Sequence, residues 1–330
     1  MPPAALGEFG RIARFFRPLA AGFPGALGLT DDAALLSVPP GQQLVLTTDA
    51  IVAGVHFLPT DAPGDIARKA LRVNLSDLAA KGARPLAYTL TLAVGRDIGD
   101  AWIEAFAAAL AEDQAYYGIA LAGGDSVSTA GPVWVSITAF GLVDAGRMVT
   151  RSGAHPGDVV LVTGTIGDAA LGLAVAQGRL AVDVDDRNTL VDRYRLPRPR
   201  IHLAHAVAAY AHAAIDISDG LAADFGHLCQ ASGVSGRIAV SRIPQSPATR
   251  RAIEAAPGLM SQVLGGGDDY EVLLTASANA VPPLMSAAAA VGIGLTAIGS
   301  IDRADSDAAA YLVDDDGNSV VVEKAGWTHS

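Results

Sequence analysis

Three shortages narrow this 330-residue chain before any motif is read. Cysteine is nearly missing: Cys229 stands alone, so no disulfide framework and no thiolate metal site can form, and a reducing cytosol fits. Positive charge is short. With 23 Lys and Arg against 34 Asp and Glu, the formal net charge is -11, which argues against a nucleic-acid surface built on clustered cations. Long apolar runs are also lacking, although 51% of the residues are hydrophobic. None approaches the roughly 18 residues of a membrane span. The charged opening MPPAALGEFGRIARFF has no apolar core of signal-peptide length. The expectation is a soluble cytoplasmic protein with neither nucleic acid nor membrane as partner. Two phosphotransferase signatures are absent as well: the P-loop GxxxxGKS/T, and the protein-kinase set of Gly-rich loop, HRD and DFG.

What is present is a recurring aspartate after an apolar run, at Asp31/Asp32, Asp49, Asp125, Asp216/Asp219 and Asp268/Asp269. The stretch LVLTTDAIVAGVHF, Leu44 to Phe57, sets the pattern. Leu44, Val45 and Leu46 read as a buried strand that ends at Thr47, Thr48 and Asp49. Two readings stand there: a loop-capping Asp, or an oxygen-rich cation site outside the carboxyl end of a strand.

The chain before and after it supplies the frame. An amphipathic helix is expected over Glu8 to Leu19, with Phe9, Ile12, Phe15 or Phe16, and Leu19 on one side. An apolar strand follows at Ala34 to Val38. Asp65 to Lys81 reads as a helix with Asp65 as N-cap and Gly82 as its stop. Ile66 and Asp77 are eleven residues apart, so at about 100° per residue they fall within roughly 20° of each other. Asn74 and Asp77 then share the face that buries Ile66, Ala70 and Val73, where a carboxylate is costly without a cation or several donors; a cation ligand and a solvated helix Asp are the two readings.

Strands are expected at Leu86 to Val94, Ile119 to Ala122 (ending in Gly123-Gly124-Asp125-Ser126) and Val133 to Val143, with a helix over Trp102 to Tyr117. Thr150-Arg151-Ser152 before Pro156-Gly157-Asp158 marks a domain joint, giving domains 1–150 and 151–330. Beyond it the α/β alternation restarts. Val159 to Val162 is a strand, Gly164-Thr165-Ile166-Gly167 a weak candidate phosphate cradle, and Asp168 to Gln177 a helix. Ala213 to Ile217 leads through Ser218-Asp219-Gly220 into a helix over Leu221 to Gln230. Val272 to Thr275 is a strand after the Gly265–Glu271 segment GGGDDYE, and the tail reads as a hairpin around Asp316-Gly317-Asn318 followed by Trp327. With thiolates excluded and the histidines scattered, aspartates beside Ser and Thr favour Mg²⁺, and several acidic groups facing a triphosphate require more than one ion.

The segments GEFGRIARFF, TDDAALL, TTDAIVAGVHF, ARKALRVNLSDLAAKGARP, GGDS, TRSGAHPGD, IDISDGL and GGGDDYEV, in this order and spacing, resemble the thiamine-monophosphate kinase family, of the superfamily shared with aminoimidazole ribonucleotide synthetase. The resemblance spans essentially the whole chain. It implies a two-domain α/β (α+β) fold of the aminoimidazole ribonucleotide synthetase type, whose amino-terminal sheets pair into a barrel in a homodimer with the sites between domains. It also implies Mg²⁺-dependent transfer of the γ-phosphoryl group of ATP to thiamine monophosphate. By matching motif positions, Asp32, Thr47, Thr48, Asp49, Asp77, Asp125, Asp216 and Asp219 would hold Mg²⁺. Tyr117, Gly124, Asp125, Arg151 and Ser218 would contact ATP, while His56, Asp268 and Trp327 would contact the thiamine phosphate. Asp49, Asp125 and Arg151 form the implied catalytic set.

Two positions depart from the family pattern: Thr30 stands where a glycine is usual, and Asp268 where Glu is frequent. A backbone needing positive φ would suit Thr30 poorly. Bland readings remain beside the implied roles. His56 reads equally as a packed imidazole, Trp327 as hydrophobic cover, Arg151 as an interdomain tether, and either Tyr116 or Tyr117 as core. The rival functions are a neighbouring superfamily enzyme and a nucleotide-binding regulator without turnover. The dikinase and maturation-factor members would want cysteines near the chain ends, where this sequence has none.

Overall fold

The computed structural model describes residues 6–304, 308–322 and 326. The chain divides into two compact units, Met1–Leu78 with Arg84–Gly146, and Ala79–Ala83 with Arg147–Ser330.

The first unit opens with helix α1 (Glu8–Arg11), which continues as a π turn over Ile12–Phe16 and a 3-10 turn over Arg17–Ala20. The single expected helix is therefore three helical pieces, the last of which carries Pro18 in its first turn, where the missing N–H costs no intrahelical bond. Phe15, Phe16 and Leu19 are buried, whereas Phe9 is 84% exposed and does not share their face. The expected strand over residues 34–38 does not form. That segment is irregular and holds on by a hydrogen bond from Leu35 N–H to Gly25 O at 2.8 Å, with Leu35 and Val38 exposed.

Strand β1 (Gln42–Val52), helix α2 (Pro63–Ala80), β2 (Arg84–Val94), α3 (Asp100–Tyr117), β3 (Ala120–Ser128) and β4 (Trp134–Asp144) follow. Helix α2 starts at Pro63, whose missing N–H would have been unpaired in a first turn anyway, so Asp65 lies in that turn rather than capping it. The sheet order is β1-β4-β2-β3, antiparallel except for the β2–β3 pair that α3 connects. Leu71, Leu75, Leu92, Ile103, Phe106, Leu110 and Ile137 are fully buried, each worth about 1.5–3 kcal/mol of burial. Strands β1 and β3 are the two edges, a geometry set by pairing that no local pattern reveals.

The second unit contains β5 (Val159–Thr163), α4 (Asp168–Ala176), α5 (Val184–Arg195), α6 (Ala204–Tyr210), β6 (Ala213–Asp216), α7 (Leu221–Ser232), β7 (Ser235–Ala239), α8 (Pro247–Ala255), α9 (Leu259–Gly265), β8 (Val272–Ala276), α10 (Val281–Ala290), β9 (Leu295–Asp302) and β10 (Ala310–Val313). Its six strands run β10-β7-β9-β5-β8-β6. Alternate residues enter opposite cores: Val160, Val162, Ile215 and Leu273 on one face, Leu161, Ala214, Val272 and Leu274 on the other. A sheet covered on both faces explains the unbroken apolar runs VVLV and VLL. After β10 the expected hairpin turn is present: Gly317 N–H donates to Asp314 O, and Val313 bridges Ser319 antiparallel. Trp327 lies outside the described residues.

Candidate functional site

Asp49 sits inside β1, opposite Ile137, rather than after its end, and of the three residues expected to be buried before it only Val45 is, Leu44 and Leu46 being exposed on an edge strand. The β-branched Thr47 and Thr48 prolong the strand instead of ending it, and an edge strand tolerates a carboxylate. Thr48 hydrogen-bonds toward β4, donating to Ile137 O at 3.2 Å. Thr47 and Asp49 share the other direction of the pleat and meet helix α2, where Thr47 Oγ1 donates to Asp77 Oδ2 at 2.5 Å. One turn earlier Asn74 is fully buried, with its amide donating to Ala70 O at 3.0 Å.

Asp49 keeps solvent contact at the strand edge. Even so, crowding of its carboxyl group by protein, then the charge of and a hydrogen bond with Asp77, raise its pKa to about 7. Two carboxyl groups and a hydroxyl thus converge with a proton relieving their repulsion. A divalent cation would relieve it better. This all-oxygen donor set fits Mg²⁺.

The first unit holds a second grouping. A cavity of about 670 Å³ is lined by Phe16, Thr30, Asp31 and Asp32 on one side and by Gly123, Gly124, Asp125 and Ser126 on the other. The Gly-Gly-Asp-Ser segment lies within β3, a correction to its expected place after a strand. A Cβ on Gly124 would come within 1.9 Å of Leu90 O, so only glycine lets β2 and β3 approach there. Asp31 and Asp125 each accept the next residue's N–H at 2.8 Å, with both carboxylates exposed. Thr30 has φ -116° and donates its hydroxyl to Leu27 O at 2.8 Å. The positive φ values fall instead at Leu27, Gly28 and Leu29, so the departure at Thr30 strains nothing. Because β1 and β3 are opposite edges, the Asp49–Asp77 pair and the cavity are separate groupings within one chain.

Tyr117 is the buried member of its pair, its ring 5.7 Å from the Arg72 guanidinium, while Tyr116 is 64% exposed. His56 Nδ1 accepts Val52 N–H at 3.1 Å, which fixes the ring over its own loop.

In the second unit Asp216 ends β6, buried and paired with Val272. The amides of Ser218, Asp219 and Gly220 all converge on Asp224 Oδ2, at 3.1, 3.1 and 3.2 Å. Burial, and next the charge of Asp219, push Asp224 up to about 7, while the charge of Arg151 pulls the other way. Asp219, Asp224 and His227 present ligand atoms within 4.8 Å of one another. Sequence reading missed Asp224 and His227; the signal was a carboxylate one turn into the helix that Ser218-Asp219-Gly220 introduces. Asp268 N–H donates to Ser218 O at 2.9 Å, and a Cβ on Gly267 would meet that same oxygen at 2.0 Å. Asp268 and Tyr270 both hold positive φ, 71° and 50°, a strained loop pinned against the Ser218 turn.

Beneath that loop the polar groups are structural. Glu271, fully buried, accepts from Arg193 at 2.8 Å, Thr163 at 2.6 Å and Arg200 Nε at 2.6 Å. Asp269 accepts Gly167 N–H at 2.8 Å, and complete burial raises its pKa well above the carboxylate range. Asp269 thus takes amides of the glycine turn at 164–167 and of the first turn of α4 that a phosphate would use.

Residues 30–143 match the family of AIR synthase related proteins, N-terminal domain, and residues 155–311 the corresponding C-terminal domain. The chain is 43% identical over 327 residues to the thiamine-monophosphate kinase of Caulobacter vibrioides, covering 98% of this chain and 90% of that protein. It is also similar to the crystal structure of thiamine-monophosphate kinase from Stenotrophomonas maltophilia, with TM-score 0.84, 38% identity, and 96% and 98% of the two chains covered. A further similar structure, AaThiL complexed with AMPPCP and TMP, superposes with TM-score 0.78 at 30% identity over 98% and 97% of the chains.

Proposed function

Since the chain belongs to the thiamine-monophosphate kinases, a family of AIR synthase related proteins with a mixed α/β two-domain fold, we propose that it phosphorylates thiamine monophosphate with ATP, giving thiamine diphosphate and ADP. The observation that carries this reading to the chain's own residues is the Asp49–Asp77 carboxyl pair with Thr47, a donor set suited to the cation such a reaction requires.

In this reading Asp32, Thr47, Asp49, Asp77, Asp125, Asp216 and Asp219 would hold Mg²⁺, whereas the Thr48 hydroxyl expected beside them turns the other way, to Ile137 O. Mg²⁺ held there would neutralise the phosphate charges that otherwise keep two polyanions apart. The acceptor phosphate has a second pKa of about 6, so near neutrality it is already an anionic nucleophile and no residue has to remove a proton. Arg151 adds positive charge at the transferring group, and Gly124, Tyr117, Asp125 and Ser218 position the nucleotide. His56, Asp268 and Trp327 hold the thiamine phosphate. The protein's work is in-line placement and charge balance, so the phosphoryl group passes directly between substrates without a phosphoenzyme.

The two edges β1 and β3, 11 and 9 residues long, support a homodimer in which the amino-terminal sheets pair into a barrel. Leu46, 59% exposed on β1, would then be covered. The segment 1–150 carries metal binding, ATP binding and dimerisation, and 151–330 completes the substrate and nucleotide contacts. Among the described residues no helix is long and apolar enough to cross a membrane, and the cytoplasm is the proposed compartment.

The test is incubation with Mg²⁺, ATP and thiamine monophosphate, with ADP and thiamine diphosphate followed together. Absence of the diphosphate would refute the reading, and a radiolabelled phosphoprotein trapped during turnover would refute direct transfer.

A further inference from the structure

At the turn that leads into β5, three metal-ligating side chains meet that the kinase reading leaves unused. His155 Nδ1 lies 3.3 Å from His212 Nδ1, and His212 Nδ1 lies 3.0 and 2.9 Å from the two carboxylate oxygens of Asp158. The three ligand atoms all fall within 4.8 Å of one another. Two imidazole nitrogens facing each other beside a carboxylate make a poor hydrogen-bond set. A single proton on His212 Nδ1 has to be shared between Asp158 and His155, the donor and acceptor roles following from the tautomer. One cation serves all three.

The spacing agrees with a tetrahedral ion. Two Zn–N bonds of about 2.0–2.1 Å at about 109° place their nitrogens about 3.3–3.4 Å apart. That is the separation of the two histidines. The rings stand at 88° to each other, edge to face, with centroids 4.8 Å apart.

The backbone holds these groups in place independently of any ion. His155 N–H donates to Asp158 Oδ2 at 2.9 Å, and Asp158 N–H returns to His155 O at 3.0 Å across Pro156-Gly157. Gly157, at φ 94°, donates to Ile301 O at 2.8 Å, while Asp158 O accepts Ile301 N–H at 2.9 Å. His212 N–H is tied to Thr275 O at 2.8 Å. Gly153 passes so close to His212 that a Cβ would sit 2.6 Å from its carbonyl oxygen. Asp158 is 3% exposed, which makes it a fixed inner ligand, whereas His155 lies at the surface and leaves an open side for water.

We propose that His155, Asp158 and His212 form a binding site for one divalent transition-metal ion of the zinc class, distinct from the all-oxygen Mg²⁺ positions. Two imidazoles and a carboxylate select such an ion over Mg²⁺, and a fourth position remains for solvent.

Full-length protein stripped with chelator and then kept in excess MgCl₂ is titrated with CoCl₂ and with ZnCl₂. One equivalent of Co²⁺ should develop the intense visible absorption of a tetrahedral site and be displaced by one equivalent of Zn²⁺. His155→Ala and His212→Ala, checked for folding by circular dichroism in EDTA, should each weaken Zn²⁺ binding by more than the roughly 10–100-fold that losing an outer-shell partner costs. Zinc should raise the melting temperature of the wild type and leave both variants unmoved. Zinc held by either variant with wild-type affinity, or no Mg²⁺-resistant equivalent in the wild type, overturns the assignment.

Discussion

Thr47 donates its hydroxyl proton to Asp77 across 2.5 Å, joining an edge strand to the helix that follows it in the chain. Asp49, two residues along the same strand, meets the same carboxylate. This junction brings two carboxyl groups and a hydroxyl together, the donor set that the proposed cation would use.

Replacing either carboxylate tests that junction through activity. Asp49→Asn and Asp77→Asn are each expected to lower turnover by roughly 10²-fold or more, the scale of losing one preorganised electrostatic group. A steady-state assay at saturating Mg²⁺ checks this, with circular dichroism to show that the variants fold.

The same pair predicts a pH effect on the metal-free protein. Asp49 has its pKa raised in the folded state to about 7, so the native chain keeps a proton that the unfolded chain releases near pH 4. The contribution of Asp49 to wild-type stability therefore falls as pH rises from about 4 to about 7. Asp49→Asn escapes that cost. In EDTA it should be the more stable protein above pH 7, by on the order of 1 kcal/mol once solvent screening is allowed for, and the gap should close toward pH 4. Urea denaturation across that range measures it; a gap that widens on acidification would contradict the assignment.

Neighbouring glycines in β3 should respond differently. A methyl group on Gly124 would strike Leu90 O, while one on Gly123 meets nothing within 4 Å. Gly124→Ala should disrupt the β2–β3 ladder and the cavity wall, weakening binding of a non-hydrolysable ATP analogue by at least tenfold. Gly123→Ala should bind it within about threefold of the wild type. Calorimetric titration of both variants decides the matter.

Glu271→Gln should cost about 3–5 kcal/mol, because Arg193 and Arg200 would lose the buried carboxylate they share. A loss below about 1 kcal/mol in chemical denaturation would mean that the network matters less than its burial indicates.

Cys229 is fully buried on α7, and that burial pushes its thiol up to about 12. Ellman's reagent should leave the native protein unmodified over minutes and titrate one thiol in denaturant.

Much of the fold was legible locally. The alternation in β4 and the Gly82 stop after α2, at φ 68°, report periodicity and backbone freedom that belong to a few adjacent residues. Misreadings came where long-range pairing overrides local signals. Thr47-Thr48-Asp49 and Gly123-Gly124-Asp125 looked like strand ends, yet partners across the sheet carry the ladder through them. Residues 34–38 have strand composition but no ladder to join, so their apolar side chains stay exposed.

The amino-acid sequence alone decided the chemical inventory: one thiol, an excess of carboxylates, and Asp motifs beside hydroxyls, since composition is independent of folding. Which of those groups act on one another was decided by tertiary structure. Asp49 meets Asp77 rather than Asp125, Asp269 takes the Gly167 amide of the glycine turn, and two histidines 57 residues apart come within 3.3 Å. Strand order and register set those distances, and a carboxylate's pKa, partner and cation follow from the distance.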